Sequence, residues 1–216
     1  MNMGQYKKYI ENIRVLFIDT YESAGGQGFR FFHSVNVANI SAFIAEKHGA
    51  KEEDKRVAVI AAIFHDVAKY TRKQDGGFLD ASHNYEKENN LESHEQQSAR
   101  MVKDFLIGDI SEAEILSIQN TISNHGNPKT LPEKILYDSD ELSEMGSMNI
   151  WKMYTYSANK KRNVSATLQY WFETDKDRHM EKAKSLFLIE SREEAKIRIE
   201  EVDSEMKKLK EQLIGS

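Results

Sequence analysis

The stretch from Val59 to Tyr70, VIAAIFHDVAKY, constrains this chain more than any other. Its first half is apolar on every face, so a helix built from it must be buried nearly all round. Its second half then sets an imidazole, a carboxylate and an ammonium (His65, Asp66 and Lys69) at the end of that helix. Burying such groups is costly unless each has a partner. The His-Asp pair alone allows two readings. Neutral imidazole beside carboxylate is the ligand chemistry of a borderline-to-hard metal ion. A histidine hydrogen-bonded to its neighbour inside a core satisfies the same residues without one.

The rest of the chain narrows the choice. Its 216 residues suffice for one generous domain, or a domain with an appendage. Only two prolines and 11 glycines punctuate it, which favours helices over strands and turns. A net charge of −5 argues against a nucleic-acid-coating or membrane-surface role. With no cysteine, disulfides, thiolate metal sites and cysteine nucleophiles are excluded, and a reducing, cytoplasmic setting fits. No apolar run reaches transmembrane length, and the start, MNMGQYKKYIENIR, lacks the apolar core of a signal peptide.

In order, the pattern reads as helices. Met3 to Tyr21 repeats Tyr6, Ile10, Ile13, Phe17 and Tyr21 at helical spacing and stops at Gly25-Gly26. Phe31 to His48 is a second helix, with Phe32, Val35, Asn36, Asn39, Ile40 and Phe43 on one side and Gly49 at its end. Glu53 to Ala68 is the third. Thr71 to Asn90 is polar and aperiodic, and its place after the His-Asp pair favours a lid or substrate loop. Ser93 with Gln96, and Ser111 with Glu114, are capping-box patterns that open a fourth and a fifth helix. These run to Gly108 and to His125-Gly126. Pro132 suits the first turn of a sixth, which closes at Gly146.

Beyond Gly146 the pattern gives two helices broken around Lys160 to Ser165, then a long charged helix from about Thr174. In its tail, Ala195, Ile199, Val202, Met206, Leu209 and Leu213 alternate spacings of four and three. This seam serves either packing on its own domain or association, through 195–213, into a homodimer. The expected organisation is all-α: a core over 1–146 and C-terminal helices over 147–216 packing on it.

Four histidines and two aspartates fall at particular points of these helices. His33 lies in the first turn of the second helix, His65-Asp66 end the third, and His94 opens the fourth. His125 ends the fifth, and Asp140 sits on the sixth. In an antiparallel bundle the end of one helix neighbours the start of the next, so such residues can converge on one pocket.

In these residues the chain resembles the HD-domain superfamily of metal-dependent phosphohydrolases, from about Arg30 to Gly146. His33 in FRFFHSVNVANI, His65-Asp66 with Lys69 in IAAIFHDVAKY, and Asp140 in ILYDSDELSEMG match its four-ligand signature. His94 in ESHEQQSARMV and His125 in TISNHG look like the two further ligands of the subset that holds two metals. Ser139-Asp140-Glu141-Leu142 fits the family's alanine-aspartate-any-leucine register, which assigns the last ligand to Asp140. Asp138, on a different helical face, orients a ligand or meets solvent.

The resemblance implies an HD-type helical bundle that cleaves a phosphoester or phosphoanhydride, of a nucleotide or related small molecule, through a metal-bound hydroxide. It implies one or two divalent transition-metal ions, with Fe or Mn favoured and Ni, Co, Zn or Mg also compatible. Asp66 would be the shared carboxylate. His33, His65 and Asp140 would complete one ion, and His94 with His125 the other. Lys69 and Arg30 are positioned to meet phosphate oxygens. Their structural alternatives are an ion pair to Asp66 or to a surface acid.

Two competing functions come with the same residues: a mixed-valent di-iron oxygenase, and a non-catalytic nucleotide-binding regulatory module. The other histidines carry less. His48 suits the negative end of a helix dipole, His179 is expected in solvent, and His83 falls inside the lid. Trp151, Tyr154, Tyr156, Tyr170, Trp171 and Phe172 read as core between the last helices, or as a base-stacking wall.

Overall fold

A computed structural model describes residues 3–79, Glu86 and residues 91–214. Among them the fold is α-helical, and the only sheet is a hairpin of two two-residue strands. No described helix is long and apolar enough to cross a membrane.

A single 3₁₀ turn, Met3–Tyr6, leads into α1 (Lys7–Phe17), which buries Tyr9, Ile13 and Phe17. The helix ends earlier than its periodicity predicts. Both the N–H and the hydroxyl of Thr20 donate to the Phe17 carbonyl, at 3.0 and 2.7 Å, and turn the chain out. Tyr21–Glu22 (β1) then pairs antiparallel with Gly26–Gln27 (β2). Gly28, at φ 67°, donates its N–H to the Thr20 carbonyl at 2.8 Å and opens α2 (Phe29–His48). That left-handed conformation is costly for any residue with a Cβ.

The buried face of α2 differs from the expected one. Phe32, Asn39 and Phe43 are exposed, and only Ile40 of the predicted face is buried. The inward stripe is instead Arg30, His33, Val37, Ala38, Ser41, Ile44 and Ala45. Burying the polar members of this stripe is what carries Arg30 and His33 inside, and their partners are described below.

α3 (Glu52–Phe64) starts with three acids suited to a helix N-terminus and is buried from Val57 to Phe64. It stops four residues before the predicted end, and the chain tightens into a 3₁₀ segment, Val67–Arg72. The cause is tertiary. The Ala68 N–H, which an extended α-helix would give to Phe64, donates instead to Ser98 Oγ at 3.0 Å. His65 and Asp66 therefore sit at the junction between two kinds of helix.

α4 (His94–Leu106) and α5 (Glu112–Ser123) begin at Ser93 and Ser111, whose side chains accept from Gln96 N and Glu114 N. At the start of α6 (Leu131–Ser143) the Glu133 carboxylate accepts from the N–H groups of Lys129 and Thr130, at 2.7 and 2.9 Å. α7 (Ser147–Asn159) follows. α8 (Val164–Tyr170) then continues through one π-helical turn, Trp171–Asp175, into α9 (Lys176–Ser185). A break at Leu186 to Leu188, absent from the sequence pattern, separates α9 from α10 (Ile189–Ile214).

Two hydrophobic clusters hold these elements. One joins α1 to α5 around Ile60, Phe64, Leu106 and Ile118. The other takes Ile40, Ile44, Ile135 and Leu142 from α2 and α6, and packs them against Met153, Trp171, Leu186, Ile199 and Met206. The seam of the last helix lies in this second cluster. Ala195, Ile199, Val202 and Met206 are all buried within the single chain, and only its end, Leu213, is exposed.

Candidate metal centre

Helix ends deliver the candidate ligands. The second turn of α2 brings His33, the α3 exit brings His65 and Asp66, and the first residue of α4 is His94. His125 follows α5, and Asp140 lies in the last turn of α6. All six meet at one place in the bundle.

Asp66 is the hub. Its Oδ2 lies 3.6 Å from His33 Nε2 and 3.5 Å from His65 Nε2, while its Oδ1 lies 3.4 Å from His94 Nε2. Asp140 divides its oxygens similarly. Oδ1 is 3.1 Å from His33 Nε2 and 3.7 Å from His65 Nε2, and Oδ2 is 3.4 Å from His125 Nε2. Among the described residues, His33, His65 and Asp66 form a buried set whose ligand atoms lie within 4.8 Å of one another.

His65 provides the sharpest test of whether this set fits an ion. Its Nδ1 donates to the Ala62 carbonyl at 2.8 Å, which leaves a bare lone pair on Nε2. Burial pushes the ring down to about 4, so it is neutral at ordinary pH. Nε2 is buried without a hydrogen-bond partner, facing two carboxylates. A lone pair oriented by a carbonyl behind the ring is the usual arrangement of a metal-binding histidine. The residues fit a divalent ion held by nitrogen and oxygen.

The carboxylates are ionised. Burial alone would raise Asp66, but Lys69, His65, Arg30 and His94 around it hold it well below the usual carboxylate range. Asp140 is held low in the same way, against its own burial, by His125 and His33. Burial would lower His125, but the facing Asp140 raises it.

The two predicted phosphate-binding cations lie in the centre and face Asp66. Lys69 Nζ is 2.8 Å from Asp66 Oδ1. Arg30 ion-pairs with Asp66 Oδ2 through one nitrogen, and forks onto Glu22 through two others at 2.9 and 2.7 Å. Glu22, buried in the hairpin, had no signal in the sequence. Neither had Ser143, whose hydroxyl lies 3.3 Å from His33 Nδ1, nor Glu86, which meets both Arg72 and His94. Ser143 reaches the centre from far along the chain, whereas Glu22 and Glu86 reach Arg30 and His94 across loops rather than at helical spacing.

Asp138 is neither a ligand support nor solvated. It is fully buried, and its two oxygens accept from the N–H groups of Phe187 and Leu188, each at 2.9 Å. His179 is likewise a correction: it is 1% exposed, beside Asp175 and Asn149, because the π turn rotates it inward. His48 is exposed at the end of α2, and its Nδ1 lies 3.1 Å from Glu190. Of the aromatic set, Trp171 is core, whereas Trp151 and Tyr156 are exposed. Half of the stretch 71–90 read as a lid, His83 included, lies outside the described residues. Of the rest, Thr71 and Arg72 end the Val67–Arg72 3₁₀ segment, Asp75–Gly77 forms a further 3₁₀ turn, and Leu79 is buried, its N–H donating to the Tyr21 carbonyl.

The HD domain model matches residues 30–145. No curated protein matches the chain. Several solved structures do. A predicted HD superfamily hydrolase from an uncultured Thermotogales bacterium is 17% identical, with a TM-score of 0.66 over 97% of each chain. An HD-superfamily hydrolase from Bacillus thuringiensis is 14% identical, with a TM-score of 0.65 over 99% of each. YpgQ of Bacillus subtilis, solved in complex with ADP, is 17% identical, with a TM-score of 0.60 over 95% of this chain and 98% of its own. At these identities the likeness is one of fold.

Proposed function

The chain belongs to the HD-domain family, and from that membership we propose that it is a metal-dependent phosphohydrolase acting on a phosphoester or phosphoanhydride of a nucleotide or related small molecule. The observation that carries this reading is the division of Asp66, one oxygen toward His33 and His65 and the other toward His94. A carboxylate so placed suits two ions, with Asp140 joining His33 and His65, and His125 joining His94. Divalent ions held there would supply Lewis acidity, making water nucleophilic near neutral pH and offsetting charge on phosphate oxygens. Fe or Mn suits the nitrogen and oxygen donors.

The chain's own groups do the rest. The Ala62 carbonyl fixes the His65 ring, Ser143 meets His33, and Glu86 holds His94, so the ligands need no reorganisation. Lys69 is an ammonium at the edge of the centre that can meet a phosphate oxygen or the leaving group as charge develops. Arg30, held by Glu22, keeps Asp66 ionised and oriented. The ADP in the structure of YpgQ favours a nucleotide over other phosphorylated molecules.

The test is metal analysis of the purified protein, followed by a screen of nucleotides and phosphomonoesters with each candidate ion. Hydrolysis that requires the added ion and fails in Asp66→Asn is the expected result. Full-length protein that takes up no ion, or takes it up and releases no phosphate from any compound, overturns the proposal.

A further inference from the structure

Beside the metal centre lies a cleft of about 390 Å³ between the β1–β2 turn, α7 and the α8–α9 run. The two adjoin through α6. The Asp140 side chain is 29% exposed, whereas those of the other five candidate ligands are between 1% and 12% exposed, so the centre opens on the Asp140 side. One helical turn further, Glu144 lines the cleft.

The lining is cationic. Lys152, Arg162, Arg178 and Lys182 face it against two carboxylates, Glu144 and Asp175. Three of these cations are paired: Lys152 with Glu144, Arg178 with Asp175, and Lys182 with Glu141. Arg162 has no carboxylate partner among the described residues. Its guanidinium rests on two aromatic faces instead, 5.7 Å from the Tyr156 ring and 5.8 Å from the Tyr170 ring. The residue before it, Lys161, has φ 55°, the one positive φ outside glycine among the described residues. Local strain of this kind clusters at ligand clamps and active sites.

The cleft floor gives a second, independent observation. His179 lines it, is 1% exposed, and has no hydrogen-bond partner at Nδ1. It is brought there by the π turn, a local feature often found at functional sites. A guanidinium held on two tyrosine rings, in a cleft also lined by a buried imidazole with an unpartnered nitrogen, suits an anion with several oxygen acceptors.

We propose that this cleft is a phosphate subsite continuous with the metal centre, in which Arg162 binds a phosphoryl group of the substrate other than the one being hydrolysed. The substrate class is then a di- or polyphosphate rather than a phosphomonoester. The assignment rests on the hydrolase reading for its orientation, but its binding chemistry can be tested separately.

The test is calorimetric titration of inorganic tripolyphosphate, and separately of orthophosphate, into wild-type protein and into Arg162→Ala, Arg162→Lys and the remote control Arg14→Ala. Arg162 is exposed and holds no ion pair among the described residues, so its removal should leave the fold intact, which circular dichroism checks. The expected result is preference for tripolyphosphate, lost roughly 10–100-fold in Arg162→Ala, partly kept in Arg162→Lys and unchanged in Arg14→Ala. Arg162→Ala that binds tripolyphosphate like wild type overturns the subsite. So does wild-type protein that binds orthophosphate equally well, or neither anion. If Arg162-dependent binding is found but no compound is hydrolysed with any ion, the subsite stands and the hydrolase reading falls.

Discussion

Glu86 and His94 are joined twice by a single oxygen: Oε1 of Glu86 lies 2.8 Å from the backbone nitrogen of His94 and 2.8 Å from its ring Nδ1. The first contact satisfies an N–H at the start of α4. The second fixes the ring so that Nε2 faces Asp66. A carboxylate behind a ligating imidazole raises its basicity and removes its rotational freedom. Glu86→Gln should therefore weaken binding of the ion held by His94 by about 10–100-fold. Metal titration against a competing chelator reads this directly, and an unchanged affinity would mean that the contact serves α4 alone.

The same carboxyl predicts a pH dependence. Burial would raise Glu86, but hydrogen bonds from Arg72 and His94 lower it from 4.5 to about 2. A depressed folded-state value stabilises the fold above the unfolded value, and the contribution is lost as pH falls through the folded one. The stability difference between wild type and Glu86→Gln should thus be largest above pH 5 and shrink from about pH 4.5 towards pH 2. Denaturant midpoints for both proteins across that range provide the check. A constant difference would assign the effect to packing.

Asp66, Asp140 and Lys69 should separate in a comparison of metal content with activity. Asp66→Asn should empty both ion positions together, because its two oxygens face different histidines. Asp140→Asn is the comparison: its oxygens also face two histidine groups, and loss of one ion alone would assign Asp140 to the ion of His33 and His65. Lys69→Ala should keep the wild-type metal content yet slow turnover on the order of 10²–10³-fold, the usual cost of losing one stabiliser of transition-state charge. Asp66→Asn that retains two ions and most activity would contradict the shared-carboxylate arrangement.

Asp138 should behave as the opposite of its neighbour two positions on. Asp138→Ala leaves the N–H groups of Leu188, buried, and Phe187, part-buried, without acceptors. The expected cost is about 1–3 kcal/mol for the Leu188 group and less for Phe187. Thermal unfolding should shift downward while metal content per folded molecule stays at the wild-type value. Loss of metal without loss of stability would place Asp138 in the centre after all.

These contrasts show which parts of the molecule could be read in advance. The apolar run into His65-Asp66, the capping serines Ser93 and Ser111, and the placement of ligands at helix ends all follow from local chemistry. That is why the helical bundle and the meeting of the six residues were legible. What was not legible depends on partners far along the chain. Ser98 takes the Ala68 N–H and shortens α3, and Asp138 takes two N–H groups and divides the last helices. The side of α2 grouped by helical spacing, Phe32 to Phe43, is not its buried side, because Arg30 and His33 are carried inside by ion pairs that spacing does not register. His179 was misread for a related reason. A one-residue π insertion changes which side of a helix faces in, and no periodicity predicts it.

The second hydrophobic cluster joins residues from both sides of Gly146, and this has a consequence for how the chain is made. All six candidate ligands precede that glycine, while the helices that cover Ile40, Ile44, Ile135 and Leu142 follow it. During synthesis, therefore, the chemically reactive end of the bundle is complete while one side of its frame is still uncovered. A ribosome stalled shortly after Gly146 emerges should present a sticky, chaperone-bound chain that already carries every ligand. Release to a closed, protease-resistant form should wait until α10 has left the exit tunnel.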